Sequence, residues 1–191
     1  HTANGHRAEN PVHHLTKLLT NILSEPLDNG NEYFLATSIQ VPTFDVGNSA
    51  HNVIPEYARA TINLRFNDHH TAESLINWIK IKINEVFADL KNASCSLTEE
   101  ISARSFINKK GELTDIMSKS IAEATGRNEK PQLATDGGTS DARFIKNYCE
   151  TAELGIRNQT LHQIDEFVYL KDLEDLEKLY LKILENYFFK N

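Results

Sequence analysis

Apolar positions along the chain alternate between two periods, and the switches between them mark out the elements. Val12, Leu15, Leu19 and Ile22 recur at helical spacing behind Asn10 and Pro11, a capping side chain followed by proline at the first helical position, so a helix is expected over about 11–23. After Pro26 and Gly30 the period drops to two. Tyr33, Leu35, Thr37, Ile39 and Val41 share one face of an alternating run, and Ala58, Ala60, Ile62, Leu64 and Phe66 describe a second strand whose other face carries Tyr57, Arg59, Asn63 and Arg65. The two read as a long antiparallel hairpin. Leu75, Ile79, Ile83, Val86 and Leu90 return to the helical period over about 72–90, and 95–98 is short and compatible with a strand.

Past Ser105 the grammar changes. Leu113, Ile116, Met117, Ile121 and Ala124 stripe a helix that Gly126 is placed to stop. A short strand at 132–135, a helix at about 141–147, a strand at 151–154 and a long closing helix at about 170–188 follow. Residues 1–106 thus give helix, strand, strand, helix, strand. This is a ferredoxin-like β-α-β-β-α-β sandwich without its first strand, an α+β arrangement. Residues 107–191 give the helix-strand alternation of an α/β sheet too thin to stand alone. The expectation is a fragment whose missing partners lie upstream of His1.

Composition narrows the function. Twenty basic against 27 acidic residues leave a net charge of −7, which argues against nucleic acid and anionic membranes as partners. No apolar run approaches the 18 or so residues needed to cross a bilayer. Cys95 and Cys149 lack paired spacing, which fits a reducing cytoplasm better than a disulfide framework.

Chemistry concentrates at a few places. Asp136-Gly137-Gly138-Thr139-Ser140-Asp141 lies between a strand and a helix, where free N–H groups hold an anion or where Thr139 or Ser140 simply caps the helix. His162, in the loop 158–166, is either a surface residue or a metal ligand with Asp165 and Glu166 beside it. Asn52 and Arg65 can each reach an oxyanion or a carboxylate, or can serve as a turn asparagine and a cross-strand ion pair. His13-His14 and His69-His70 read as solvated pairs.

His1-Thr2-Ala3, Ala8-Glu9-Asn10-Pro11-Val12-His13, Asn52-Val53-Ile54-Pro55, Leu64-Arg65-Phe66, Gly137-Gly138-Thr139-Ser140-Asp141-Ala142-Arg143-Phe144-Ile145 and Asn158 through Glu166 together resemble, in order, the C-terminal half of deacylases in the di-zinc aminoacylase and carboxypeptidase family. The resemblance implies a ferredoxin-like dimerisation domain followed by the C-terminal lobe of an α/β catalytic domain. It also implies a cytoplasmic homodimer, a small-molecule dicarboxylate amide substrate, and two zinc ions per subunit with cobalt as an alternative. Under it His162 is the last metal ligand, and His1 reaches into the partner's site to stabilise an oxyanion with Asn52. Arg65 binds the substrate carboxylate, and Gly138, Thr139 and Ser140 close over the substrate. The other metal ligands and the general base are absent from these residues, so the chain alone is expected to be inactive. The rival readings are another deacylase of the same family and a non-catalytic dimerisation module.

Overall fold

The computed structural model describes residues 1–108, 110–126, 130–135, 140–156 and 159–189. The chain divides into two compact units, His1–Ser105 and Phe106–Asn191.

The first unit opens with a short 3₁₀ helix, Thr2–Arg7, followed by α1, Pro11–Leu23. The Asn10 side chain accepts the Val12 N–H at 3.0 Å, which satisfies one of the donors orphaned at a helix start. The strands β1, Ser38–Asp45, and β2, Arg59–Arg65, pair antiparallel as a two-stranded sheet. The register slips between Gln40 and Thr43, where Pro42 has no N–H for the ladder, so the strand bulges there. The helix α2, Ala72–Phe87, is launched by a reciprocal capping box between Thr71 and Ser74. Leu18 and Ile22 of α1 meet Val86 of α2 in a buried cluster, and Ile39 of β1, Ile62 of β2, Trp78 and Cys95 pack against it. Each fully buried aliphatic side chain of this kind contributes about 1.5–3 kcal/mol.

In the second unit α3, Glu112–Thr125, packs on α5, Leu170–Phe188, and a single turn, α4, Ala142–Ile145, lies between them in sequence. Gly126 ends α3 in the left-handed conformation, φ +66°, that a glycine adopts without steric cost. Ser120 is wholly buried at the α3–α5 contact. Its hydroxyl donates to the Ile116 carbonyl at 2.8 Å and accepts from Asn186 Nδ2 at 3.0 Å.

The helices and β2 lie where the apolar periodicity puts them, and the expected antiparallel hairpin forms, but the other expected strands are shifted or absent among the described residues. The alternation from Tyr33 to Thr37 is not strand: Gly30 takes φ +73°, and the Asn31 side chain accepts the N–H groups of Tyr33 and Phe34, closing a turn that leaves Leu35 exposed. The segments 95–98, 132–135 and 151–154 form no ladder, since β1 and β2 make the one sheet among the described residues. In the last of them side chains occupy the carbonyls a ladder would use. Asn108 Nδ2 donates to the Thr151 carbonyl at 2.5 Å, and the Tyr180 hydroxyl donates to that of Leu154.

Candidate functional site

The expected site residues fall on both units, and each unit presents its own set. In the first, the 3₁₀ helix is tied to the β1–β2 connection by a hydrogen bond from the Thr2 N–H to the Asn52 carbonyl at 3.0 Å. His1 and Asn52 are thereby brought side by side. Both are exposed. His1 Nδ1 accepts the Ala3 N–H at 3.2 Å, so a neutral ring carries its proton on Nε2 and offers that nitrogen as a donor. The Asn52 amide makes no hydrogen bond among the described residues.

Arg65 stands at the opposite end of β2 from that connection, on the solvent face, paired in register with Ser38. The cross-strand ion pair does not form, because a serine and not a carboxylate faces it. Its guanidinium has no partner among the described residues. A free, exposed fork of N–H groups at a strand end is suited to bidentate capture of a carboxylate.

In the second unit His162 lies on an exposed loop closed by Thr160, whose hydroxyl donates to the Phe167 carbonyl at 2.7 Å and accepts the Phe167 N–H at 3.2 Å. His162 and Asp165 both take φ +60°, a conformation that side-chain-bearing residues adopt at a cost. The His162 imidazole is unbonded among the described residues. Those residues bring no three His, Cys, Asp or Glu side chains together to hold a metal ion. Ser140 hydrogen-bonds the Glu153 carboxylate and accepts the Ala142 N–H at 3.1 Å, in the turn just before α4, whose N-cap position is Asp141. Gly138 and Thr139, with most of the 136–141 segment, lie outside the described residues.

The paired histidines need correction, because only one of each pair is solvated. His14 Nε2 lies 2.7 Å from Glu9 Oε2, with its ring 5.9 Å from that of Phe87, while His13 is exposed. His70 Nε2 lies 3.0 Å from Asp28 Oδ2, while His69 is exposed. Adjacent residues point in different directions, so one of each pair turns inward.

Asp28 itself is the group that pattern reading missed. Its nearly buried carboxylate accepts the Gly30 N–H at 2.7 Å, the Thr37 N–H at 3.2 Å and Asn67 Nδ2 at 2.7 Å, besides facing His70. Burial by itself would raise its pKa, yet hydrogen bonds from Thr37, Gly30 and Asn67 outweigh that and hold the carboxyl well below the usual carboxylate range. The only local signal was the Asp28-Asn29-Gly30-Asn31 turn chemistry.

Residues 1–91 match the family model of the peptidase dimerisation domain. Over 188 residues, 98% of its length, the chain is 43% identical to the succinyl-diaminopimelate desuccinylase of Cereibacter sphaeroides, of which it covers 49%. It is 44% identical over the same span to the succinyl-diaminopimelate desuccinylases of Paracoccus denitrificans and Bradyrhizobium diazoefficiens, covering 48% of each. The chain spans about half the length of the curated relatives it matches.

Proposed function

We propose that this chain, a peptidase dimerisation domain joined to a second helical unit and related along almost its whole length to succinyl-diaminopimelate desuccinylases, is the C-terminal half of such an enzyme. The whole protein then hydrolyses the amide of N-succinyl-diaminopimelate to succinate and diaminopimelate. One observation carries the reading: identity above 40% runs over 188 residues, well beyond the 91 that match the dimerisation domain. A module kept only for dimerisation has no reason to stay similar so far beyond the matched domain.

In this reading the protein is a homodimer, and each part of the chain has a share in the reaction. Two zinc ions, with cobalt as an alternative, supply a Lewis acid and an activated water when bound. His162 is the ligand this chain contributes to them, and the remaining ligands and the general base come from sequence outside it. Arg65 grips a carboxylate of the substrate through paired N–H donors. The Nε2 donor of His1 and the Asn52 amide meet the negative charge that develops on the attacked carbonyl oxygen, in the active site of the partner subunit. Gly138, Thr139 and Ser140 take the substrate-covering role that the resemblance implies for them.

The test is hydrolysis by the full-length protein, with succinate release followed by chromatography. N-succinyl-diaminopimelate is expected to be turned over and N-acetylornithine to be poor by at least about 100-fold. Residues 1–191 alone are expected to be inactive. Equal turnover of the acetyl compound would move the assignment to another deacylase of the family, and a stable dimer inert toward both would leave a dimerisation module.

A further inference from the structure

The hydrogen-bond hub at Asp28 sits at the end of the β1–β2 ladder that lies away from the connection between the strands. Ser38 and Arg65 are the last paired residues of the sheet. Thr37, one residue before the pair, gives its N–H to Asp28, and Asn67, two residues after it, gives Nδ2 to Asp28 and to the Leu35 carbonyl at 3.0 Å. The Asn67 N–H reaches the Thr37 hydroxyl at 3.4 Å, and Asn67 Oδ1 accepts the His69 N–H at 2.9 Å. Side chains therefore continue the pairing beyond the point where backbone bonds stop.

Asn67 is only 2% exposed and Thr37 8%, so water does not replace these bonds when they open. The ends of a two-stranded ladder are otherwise the first part to fray. Arg65 has no side-chain partner of its own among the described residues, so the backbone alone decides where its guanidinium can reach. A displacement of the strand end moves the root of that side chain and the range its guanidinium can reach.

We propose that Asp28 is a positioning residue for Arg65. The carboxylate clamps both strands at the ladder end, and so sets the place at which the guanidinium meets a substrate carboxylate. The inference rests on the reading of Arg65 given above. Asp28 is screened from that encounter, since its oxygens are taken up by Gly30, Thr37, Asn67 and His70. It acts through the backbone, and its removal should weaken substrate binding without slowing the bound complex.

Steady-state kinetics of the full-length protein with N-succinyl-diaminopimelate tests this on Arg65→Lys, Asp28→Asn and the double variant, with circular dichroism to verify folding. Arg65→Lys is expected to raise KM about tenfold, and Asp28→Asn about fivefold, each with kcat within about twofold. The double variant is expected to be no worse than Arg65→Lys alone, because a guanidinium that is gone cannot be misplaced. Amide exchange at Ser38 and Arg65 is expected to quicken in Asp28→Asn. If Arg65→Lys raises KM and Asp28→Asn does not, or if the two effects multiply, the positioning role is wrong and the reading of Arg65 survives. If Arg65→Lys leaves KM unchanged, the reading of Arg65 falls and the inference with it. Should Asp28→Asn fail to fold, His70→Ala removes one bond at the part-buried rim of the hub. Its KM is then expected to rise about two- to threefold, and an unchanged value overturns the proposal.

Discussion

Ile22 of α1 and Leu184 of α5 both belong to strongly amphipathic helices, yet Ile22 is fully buried and Leu184 is 53% exposed. The difference lies in what each helix has to pack against. In the first unit two helices share a cluster with Ile39 and Ile62 of a paired sheet. In the second, α5 turns Leu176, Leu179 and Ile183 into partial burial and leaves Leu173, Tyr180 and Leu184 exposed. No hydrophobic residue from 106 onward is buried among the described residues, and the fully buried side chain there is Ser120. An amphipathic pattern is a demand for a partner surface, and only the first unit meets that demand from its own residues.

Truncation is the strongest way to break the contrast. Ile22→Ala should cost about 4 kcal/mol, the lost transfer free energy plus a cavity, whereas Leu184→Ala should stay within about 0.5 kcal/mol. Urea unfolding followed by the fluorescence of Trp78, the one tryptophan, reads the first unit, and far-UV dichroism reads both. Equal effects would mean that the second unit has a core of the same quality.

The Asp28 hub should come next. Asp28→Ala leaves several buried donors without an acceptor and should cost about 3 kcal/mol. The same group gives the first unit its acid sensitivity. Its carboxyl stays ionised in the folded chain at pH values where the unfolded chain has already taken up the proton. The stabilisation is therefore complete above the unfolded pKa and is lost as pH falls through the folded one. The Trp78-monitored unfolding midpoint should drop steeply with acid below about pH 4, and less steeply in Asp28→Asn. Parallel acid profiles would remove Asp28 from this account.

Gly30→Ala should destabilise the first unit by about 2 kcal/mol, since φ is +73° and a Cβ would stand 2.5 Å from the Phe34 carbonyl oxygen. A melt indistinguishable from the parent chain would show that the turn relaxes freely. The smallest effect belongs to the second unit. Ser120→Ala strips the hydroxyl that Asn186 donates to and should cost about 1 kcal/mol in the dichroism-detected melt, with the Trp78 signal unmoved. A shift in both signals would couple the two units energetically.

The candidate site was partly legible for the same physical reasons. Arg65 could be placed on the polar face of a strand from alternation alone, because a strand sends successive side chains to opposite faces. That it is unpaired depended on the register, which sets Ser38 and not a carboxylate across from it. The adjacency of His1 and Asn52, about fifty positions apart, could not be read from any local pattern. Asp28 escaped notice because its partners Thr37, Asn67 and His70 are spread over 42 positions.

By itself the sequence determined the helices, since α1 starts at its Asn10 cap and both α1 and α5 run where the apolar spacing puts them. A helix closes its hydrogen bonds within its own segment, so its instructions are local. Tertiary structure decided which extended segments became strands, which of two neighbouring histidines turned inward, and which carboxylate was buried as a hub. Each of those outcomes requires a second segment to supply the missing donor, acceptor or apolar surface, and no stretch of chain carries that information alone.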